Sequence, residues 1–212
     1  MSRPTVHLVD DDESYLRATA RMLAAEGFPV RTFESGPRLL AEVTPATRGC
    51  IVADLSMPEL DGLALQSALK DAGITMPLLF LSGHGDIPHT VLAMQGGAVD
   101  FIEKHAPRDR LLAAIRSALE RDVRDSERLA AIADLRQRFG ELTRREFEVL
   151  REVVRGQMNK QIAATLGISE RKVKLHRTAV KAKIGVQSSA RLATLAKDAG
   201  LFDDGTPPHR GA

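Results

Sequence analysis

The chain alternates two kinds of apolar pattern along its first half, and few folds accept that alternation. Short runs lie at Val6 to Val9, Val30 to Phe33, Ile51 to Leu55, Leu78 to Leu81 and Val99 to Ile102. Several are apolar almost throughout, as strands covered on both faces must be. Between them apolar residues recur at helical spacing: Tyr15, Leu16, Thr19, Met22 and Leu23; Leu39, Leu40 and Val43; Leu63, Leu65 and Leu69; Val91, Leu92 and Met94. Strict alternation of strand and helix predicts a parallel α/β sheet built from right-handed crossovers. Ligands of such sheets bind beyond the C-terminal strand ends. There the sequence places Asp10, Asp11 and Asp12, then Asp54, Ser82 and Lys104.

Charge divides the chain. Residues 1–122 hold 12 Lys and Arg against 17 Asp and Glu, a net −5, whereas residues 123–212 hold 18 against 11, a net +7. An acidic first half joined to a basic second half implies two domains, the second facing a polyanion. At 43% hydrophobic over 212 residues, both have material for ordinary cores. The single cysteine, Cys50, lies in an apolar run and reads as a buried, inert thiol. The first apolar run, about four residues, is too short for a signal segment or membrane span. A soluble cytoplasmic protein is expected, without a membrane partner.

From Pro107 the pattern changes. Apolar residues at helical spacing run from Leu111 to Phe139 with no Gly or Pro between Arg108 and Phe139, which predicts one helix of about 45 Å at 1.5 Å per residue. Its middle, Glu120 to Arg128, is mostly charged and reads as an exposed connector, with a coiled-coil seam as the alternative. Gly140 closes it, and Thr143 followed by Glu146 forms a capping box. Helices are then expected over Arg144 to Val154, Asn159 to Leu166, Glu170 to Ile184 and Ser188 to Ala199, separated by Gly156, Gly167 and Gly185. The expected domains are residues 1–122, a helical linker at 123–140, an all-helical unit at 141–202 and a disordered tail at 203–212.

A hard cation such as Mg²⁺ takes one or two carboxylates and keeps positions open for water and phosphate oxygens. Asp11 and Asp54 suit it, with Asp10 holding a water, while Lys104 and the Ser82 hydroxyl can approach a phosphoryl group. Carboxylate attack on phosphorus makes an acyl phosphate. Taken singly, the strand-end aspartates read equally well as helix caps and Lys104 as a solvated loop residue. Asp54, behind four apolar residues, needs a buried partner or a function.

These residues resemble the response-regulator receiver family. The matching stretches are Val-Asp10-Asp11-Asp12, Asp54-Leu-Ser-Met-Pro58-Glu-Leu-Asp-Gly62, Leu-Ser82-Gly-His-Gly-Asp-Ile and Gly-Ala-Val-Asp-Phe101-Ile-Glu-Lys104. The resemblance implies a five-stranded flavodoxin-like (CheY-like) receiver whose Asp54 accepts phosphate from a sensor histidine kinase. It implies Mg²⁺ or Mn²⁺ on Asp10, Asp11, Asp54 and the Ser56 backbone carbonyl, and a switch in which Ser82 and Phe101 move together. Phe101 as plain core is the other reading. The family usually has Lys-Pro with a cis bond after the fifth strand. Here His105 follows Lys104, and because cis bonds before non-proline residues cost about 2.5–4 kcal/mol, a trans bond is expected.

Between Ser169 and Ile184 lie six Lys or Arg and one acid. Val173, Val180 and Ile184 share one face. The preceding helix, Gly167 turn and Ser169 cap give a helix-turn-helix pattern whose basic helix fits a major groove. A solvated basic face is the alternative. The segment resembles the LuxR-type helix-turn-helix of NarL/FixJ response regulators. By that resemblance Lys174, Leu175, Arg177 and Thr178 face the groove, and Lys160, Lys181 and Lys183 the DNA backbone. Lys172, where the family usually has Thr, either adds a phosphate contact or alters the register. The last helix, with Leu192, Leu195 and Ala196, resembles the dimerisation helix, although packing within the unit uses the same residues. The expected protein is a phosphorylation-controlled transcription factor on double-stranded promoter DNA. A homodimer is expected on phosphorylation or DNA binding, RNA polymerase is a further partner, and no enzyme activity is expected beyond the receiver's own phosphorylation and dephosphorylation. The alternative is a DNA-binding regulator that works without phosphorylation.

Overall fold

The computed structural model describes residues 4–83 and 87–202. The tail at 203–212 and the His-Gly-Asp stretch after Gly83 lie outside the described residues. Five strands, β1 (Thr5–Val9), β2 (Val30–Phe33), β3 (Gly49–Asp54), β4 (Leu78–Ser82) and β5 (Asp100–Glu103), alternate with α1 (Glu13–Ala25), α2 (Gly36–Glu42), α3 (Gly62–Asp71), α4 (Ile87–Gln95) and α5 (Arg108–Gly140). All strand pairs are parallel, in the order β2-β1-β3-β4-β5. The chain forms two compact units, Met1–Ser126 and Glu127–Ala212.

The strand residues alternate between two cores because successive side chains point to opposite faces. Every residue of β3 is buried. Cys50 and Val52 join Leu16, Leu23, Leu112 and Ile115 under α1 and α5, whereas Ile51 and Ala53 join Leu39, Leu65, Leu69 and Ala93 under α2, α3 and α4. Each fully buried aliphatic side chain contributes about 1.5–3 kcal/mol. Burial, then the neighbouring Asp122 charge, pushes the Cys50 thiol up to about 12, so it stays protonated and unreactive at neutral pH. His7, absent from the sequence reading, is buried at the middle of β1 with its ring 6.0 Å from that of Phe33. Burial lowers its pKa and keeps it neutral.

The charged middle of α5 is largely exposed, as expected, with Asp122 as the buried exception. Asp122 is buried, and its Oδ2 accepts from Arg48 Nε at 3.1 Å and Nη2 at 2.9 Å and from the Gly49 N–H at 3.1 Å. The guanidinium and backbone amide satisfy a carboxylate that could not otherwise be buried. Gly49 is required at that junction: its φ is +131°, and a Cβ there would sit 1.8 Å from the Thr5 carbonyl oxygen.

The second unit holds α6 (Arg144–Val154), α7 (Asn159–Leu166), α8 (Glu170–Ile184) and α9 (Ser189–Asp198). The capping box forms, with Thr143 Oγ1 accepting from the Glu146 N–H and the Glu146 carboxylate accepting from the Thr143 N–H. Gly167, at φ +64°, ends α7 in the left-handed region, and Ser169 caps α8 through the Lys172 N–H. Phe139, Val149, Leu150, Ile162, Val173, Val180 and Ile184 make the core, together with Leu192 and Ala196 of α9. Leu192 and Ala196 are therefore committed to packing inside the unit. No described peptide bond is cis, so Lys104–His105 is trans as expected.

Gly49→Ala should cost at least about 3 kcal/mol in denaturant unfolding, because both the backbone conformation and the Thr5 contact oppose a side chain. An unchanged midpoint would contradict the tight junction.

Candidate functional site

β1 and β3 lie side by side, and the chain leaves them toward opposite edges of the sheet. A crevice opens at such a switch point, beyond the C-terminal strand ends. Val9 pairs with Ala53, so the next residues, Asp10 and Asp54, emerge beside each other at the crevice. β4 and β5 extend the same edge: Ser82 pairs with Glu103, and the Lys104 N–H donates to the Ser82 carbonyl at 2.8 Å. Four strands thus deliver Asp10, Asp54, Ser82 and Lys104 to one place. The structure brings together the residues that the sequence placed at strand ends.

Lys104 Nζ lies 2.6 Å from Asp10 Oδ2 and 3.2 Å from Asp54 Oδ2. Both aspartates are buried, as is Ser82. Asp54, Ser56, Ser82 and Lys104 line a cleft of about 390 Å³ that is open to solvent. Burial raises the Asp54 pKa, opposed by the Lys104 charge and reinforced by Asp10; the Ser56 N–H donates to the carboxylate and lowers it. Burial alone would lower Lys104, but contact with Asp10 and the Asp54 and Asp10 charges outweigh it and hold the ammonium above its usual range. One lysine therefore serves two carboxylates. It stays charged while Asp54 keeps an excess of negative potential.

The donor set fits a hard divalent cation. Carboxylate oxygens of Asp10, Asp11 and Asp54 lie within 4.8 Å of one another, and Asp11 is exposed. Asp10 Oδ1 accepts from the Asp12 N–H at 3.0 Å. Its Oδ2, although close to Lys104, makes no aligned hydrogen bond, so that contact is ionic and leaves a buried lone pair undirected. An oxygen-only cluster with such a lone pair suits Mg²⁺ or Mn²⁺. Asp12 takes no part: its Oδ1 caps α1 through the Ser14 and Tyr15 N–H groups. Phe101 is half-buried against the core, paired with Phe80. Tyr15, expected only on the apolar face of the first helix, also borders the site: its ring lies 4.6 Å from Lys104 Nζ. Its signal is an aromatic three residues after a helix cap, in the first turn beside a strand-end carboxylate.

On α8, Lys172, Lys174, Leu175 and Thr178 are exposed, as is Lys160 on α7. Leu175 is 63% exposed, which marks a side chain without an internal partner. A surface cleft of about 680 Å³ beside α8 is lined by Asn159, Lys174, Arg177, Thr178, Lys181 and Ser189. Lys183, expected at the DNA backbone, also has partners within the unit. Its ammonium lies 2.7 Å from the buried Glu146 carboxylate and 3.3 Å from the Glu141 carbonyl. Burial would raise Glu146, but the Lys183 and Thr143 hydrogen bonds override it and hold the carboxyl below its usual range. Arg177, expected in the groove, is half-buried and donates to Asn159 Oδ1 and Ser189 Oγ, both at 2.8 Å. These two basic side chains hold α6, α7, α8 and α9 together, a role that composition alone does not reveal.

Comparison with known proteins matches residues 6–116 to the response regulator receiver domain and residues 140–196 to the LuxR family of bacterial regulatory proteins. The transcriptional regulatory protein FixJ of Rhizobium meliloti is 40% identical over 95% of this chain and 98% of its own length. The response regulator protein TodT of Pseudomonas putida is 39% identical over 86% of this chain and 81% of its own. Among solved structures, response regulator StyR superposes with a TM-score of 0.81 at 39% identity, covering 92% of this chain and 99% of that one. No described helix is long and apolar enough to cross a membrane. The parallel sheet with its strand-end carboxylates and the helix-turn-helix unit thus agree with both family matches, and the chain belongs to the NarL/FixJ-type response regulators, transcription regulators that join a receiver domain to a LuxR-type DNA-binding domain.

Proposed function

We propose that Asp54 accepts a phosphoryl group from the phosphohistidine of a sensor histidine kinase and that this modification controls dimerisation and promoter DNA binding. The observation that carries the reading is the Lys104 ammonium set between Asp10 and Asp54 at an open cleft also lined by Ser82. An Asp54 carboxylate oxygen attacks phosphorus, the bond from phosphorus to the imidazole nitrogen breaks, and the electron pair leaves with the imidazole. Lys104 exchanges an Asp54 oxygen for a phosphoryl oxygen, and the Ser82 hydroxyl donates to another. Asp10, Asp11, Asp54 and the Ser56 carbonyl would hold Mg²⁺ or Mn²⁺, which when bound would supply positive charge near the phosphoryl group. Ser82 and Phe101 shift when Ser82 turns to the phosphoryl group. The chain performs no other chemistry than its own phosphorylation and dephosphorylation.

In the second domain Lys174, Leu175 and Thr178 read base edges, while Lys160, Lys172 and Lys181 neutralise phosphates. The proposed domains are a receiver at residues 1–122, a helical linker at 123–140 and a DNA-binding unit at 141–202. RNA polymerase is a further partner, and the setting is cytoplasmic. The Lys104–His105 sequence favours a regulator that ignores phosphate; the ammonium's position between two carboxylates weakens that ground.

Incubation with acetyl phosphate and Mg²⁺ should add one phosphoryl group by mass, lost in Asp54→Asn; an adduct that survives that substitution would remove Asp54 as acceptor. Because the folded-state pKa of Asp54 is raised, the folded protein binds more protons than the unfolded chain, and stability falls as pH rises above the unfolded value of about 3.9. In metal-free buffer Asp54→Asn should therefore melt above wild type at neutral pH, with the gap closing as pH falls toward that value. A gap that is constant with pH would rule out a raised pKa. On DNA, Lys160→Ala should reduce the salt slope of binding by about 1. Lys183→Ala should lower the melting temperature of the second domain and leave that slope unchanged; the opposite pattern would return Lys183 to the interface.

A further inference from the structure

We infer that Tyr15 is a positioning residue that holds the Lys104 ammonium in place for phosphoryl transfer. The inference rests on the proposed phosphorylation of Asp54 and adds a residue that the strand-end pattern does not contain. Lysine has a flexible four-carbon stem, so an ammonium that must meet a transferring phosphoryl group needs more than one restraint. Here the residue after Lys104 is His105 and the peptide is trans.

Three groups surround the ammonium. Asp10 Oδ2 and Asp54 Oδ2 lie at 2.6 and 3.2 Å, and the Tyr15 ring faces it with the centroid 4.6 Å from Nζ. That distance is within the range at which the negative face of an aromatic ring attracts a cation, and the lysine side chain is only 17% exposed, so solvent screens the attraction little. Tyr15 is itself fixed. Its backbone N–H donates to Asp12 Oδ1 at 3.1 Å, and its ring packs on the core under α1 and α5. Burial raises the Tyr15 pKa, and the Lys104 charge opposes that rise, which agrees with a close contact between a neutral phenol and an ammonium. A line of restraint thus runs from Asp12, which is not a metal ligand, through Tyr15 to Lys104. During transfer Lys104 must leave one carboxylate oxygen for a phosphoryl oxygen, and the ring is the contact that persists through that exchange.

Full-length protein phosphorylated with acetyl phosphate and Mg²⁺ provides the test. Tyr15→Leu keeps apolar bulk and loses the ring, and should slow adduct formation roughly fivefold; Tyr15→Phe, which keeps the ring, should stay within about twofold of wild type. A leucine variant as fast as wild type, or a phenylalanine variant as slow as leucine, overturns the inference. A second readout does not depend on phosphorylation. Tyr15 is the single tyrosine in a chain without tryptophan, so its fluorescence reports this contact. Lys104→Gln should change the emission yield, and Lys70→Gln should not. Unchanged emission in Lys104→Gln overturns the contact even where Tyr15→Leu fails to fold. Absence of any adduct on wild type defeats the phosphorylation reading, whereas a normal wild-type adduct with no Tyr15 dependence defeats only the positioning role.

Discussion

The first domain depends on one electrostatic compromise: a single lysine ammonium shared by two buried carboxylates at the crevice between β1 and β3. Burying either aspartate without a counter-charge would cost several kcal/mol, and burying both side by side would cost more. Lys104 makes the pair tolerable without neutralising it, since two negative charges face one positive charge and Asp54 is held above its usual pKa. The residual negative potential is what a divalent cation answers. The same arrangement leaves Asp54 at the rim of an open cleft, where an electrophile can reach it.

Backbone topology makes this compromise local. The strand order turns at β1 and β3, so residues far apart in sequence emerge together. The bond from the Lys104 N–H to the Ser82 carbonyl then ties the fifth strand's exit to the fourth's. At the opposite end of β3, Arg48 and Gly49 anchor Asp122 of α5. The strand that ends at Asp54 is thus held at its start through Asp122 and at its end by the Leu55 N–H bond to the Leu81 carbonyl and the Lys104 contact. In the second domain the same economy appears in another form. Some basic residues of α8 hold the helices together through Glu146, Asn159 and Ser189, Lys181 donates to the Gln187 carbonyl, and Arg171, Lys172 and Lys174 stay exposed.

Much of this was legible in the sequence because it rests on periodicity and local chemistry. The alternation of apolar runs marked the sheet, the Thr143–Glu146 box and the glycines marked the helix ends, and Asp10, Asp54, Ser82 and Lys104 fell at strand ends as the fold requires. What escaped were contacts between residues distant along the chain, each of which had a local reading that was equally good. Asp122 sits in a charged stretch and reads as solvated until Arg48 comes near it. Lys183 and Arg177 look like the other basic residues of α8 until their partners on α6, α7 and α9 are placed. Tyr15 reads as an amphipathic helix residue, and only β5 brings a cation over its ring.

The central claim joins the two domains: phosphorylation of Asp54 changes how the basic helix meets DNA. Promoter affinity measured at fixed salt, with and without acetyl phosphate and Mg²⁺, tests it most directly in wild type beside Asp54→Asn. Wild-type affinity should change by roughly 5- to 150-fold, the usual range of coupling between two sites, while Asp54→Asn stays fixed. Equal affinity in phosphorylated and unphosphorylated wild type would contradict the claim and leave a DNA-binding protein whose receiver has no hold on it.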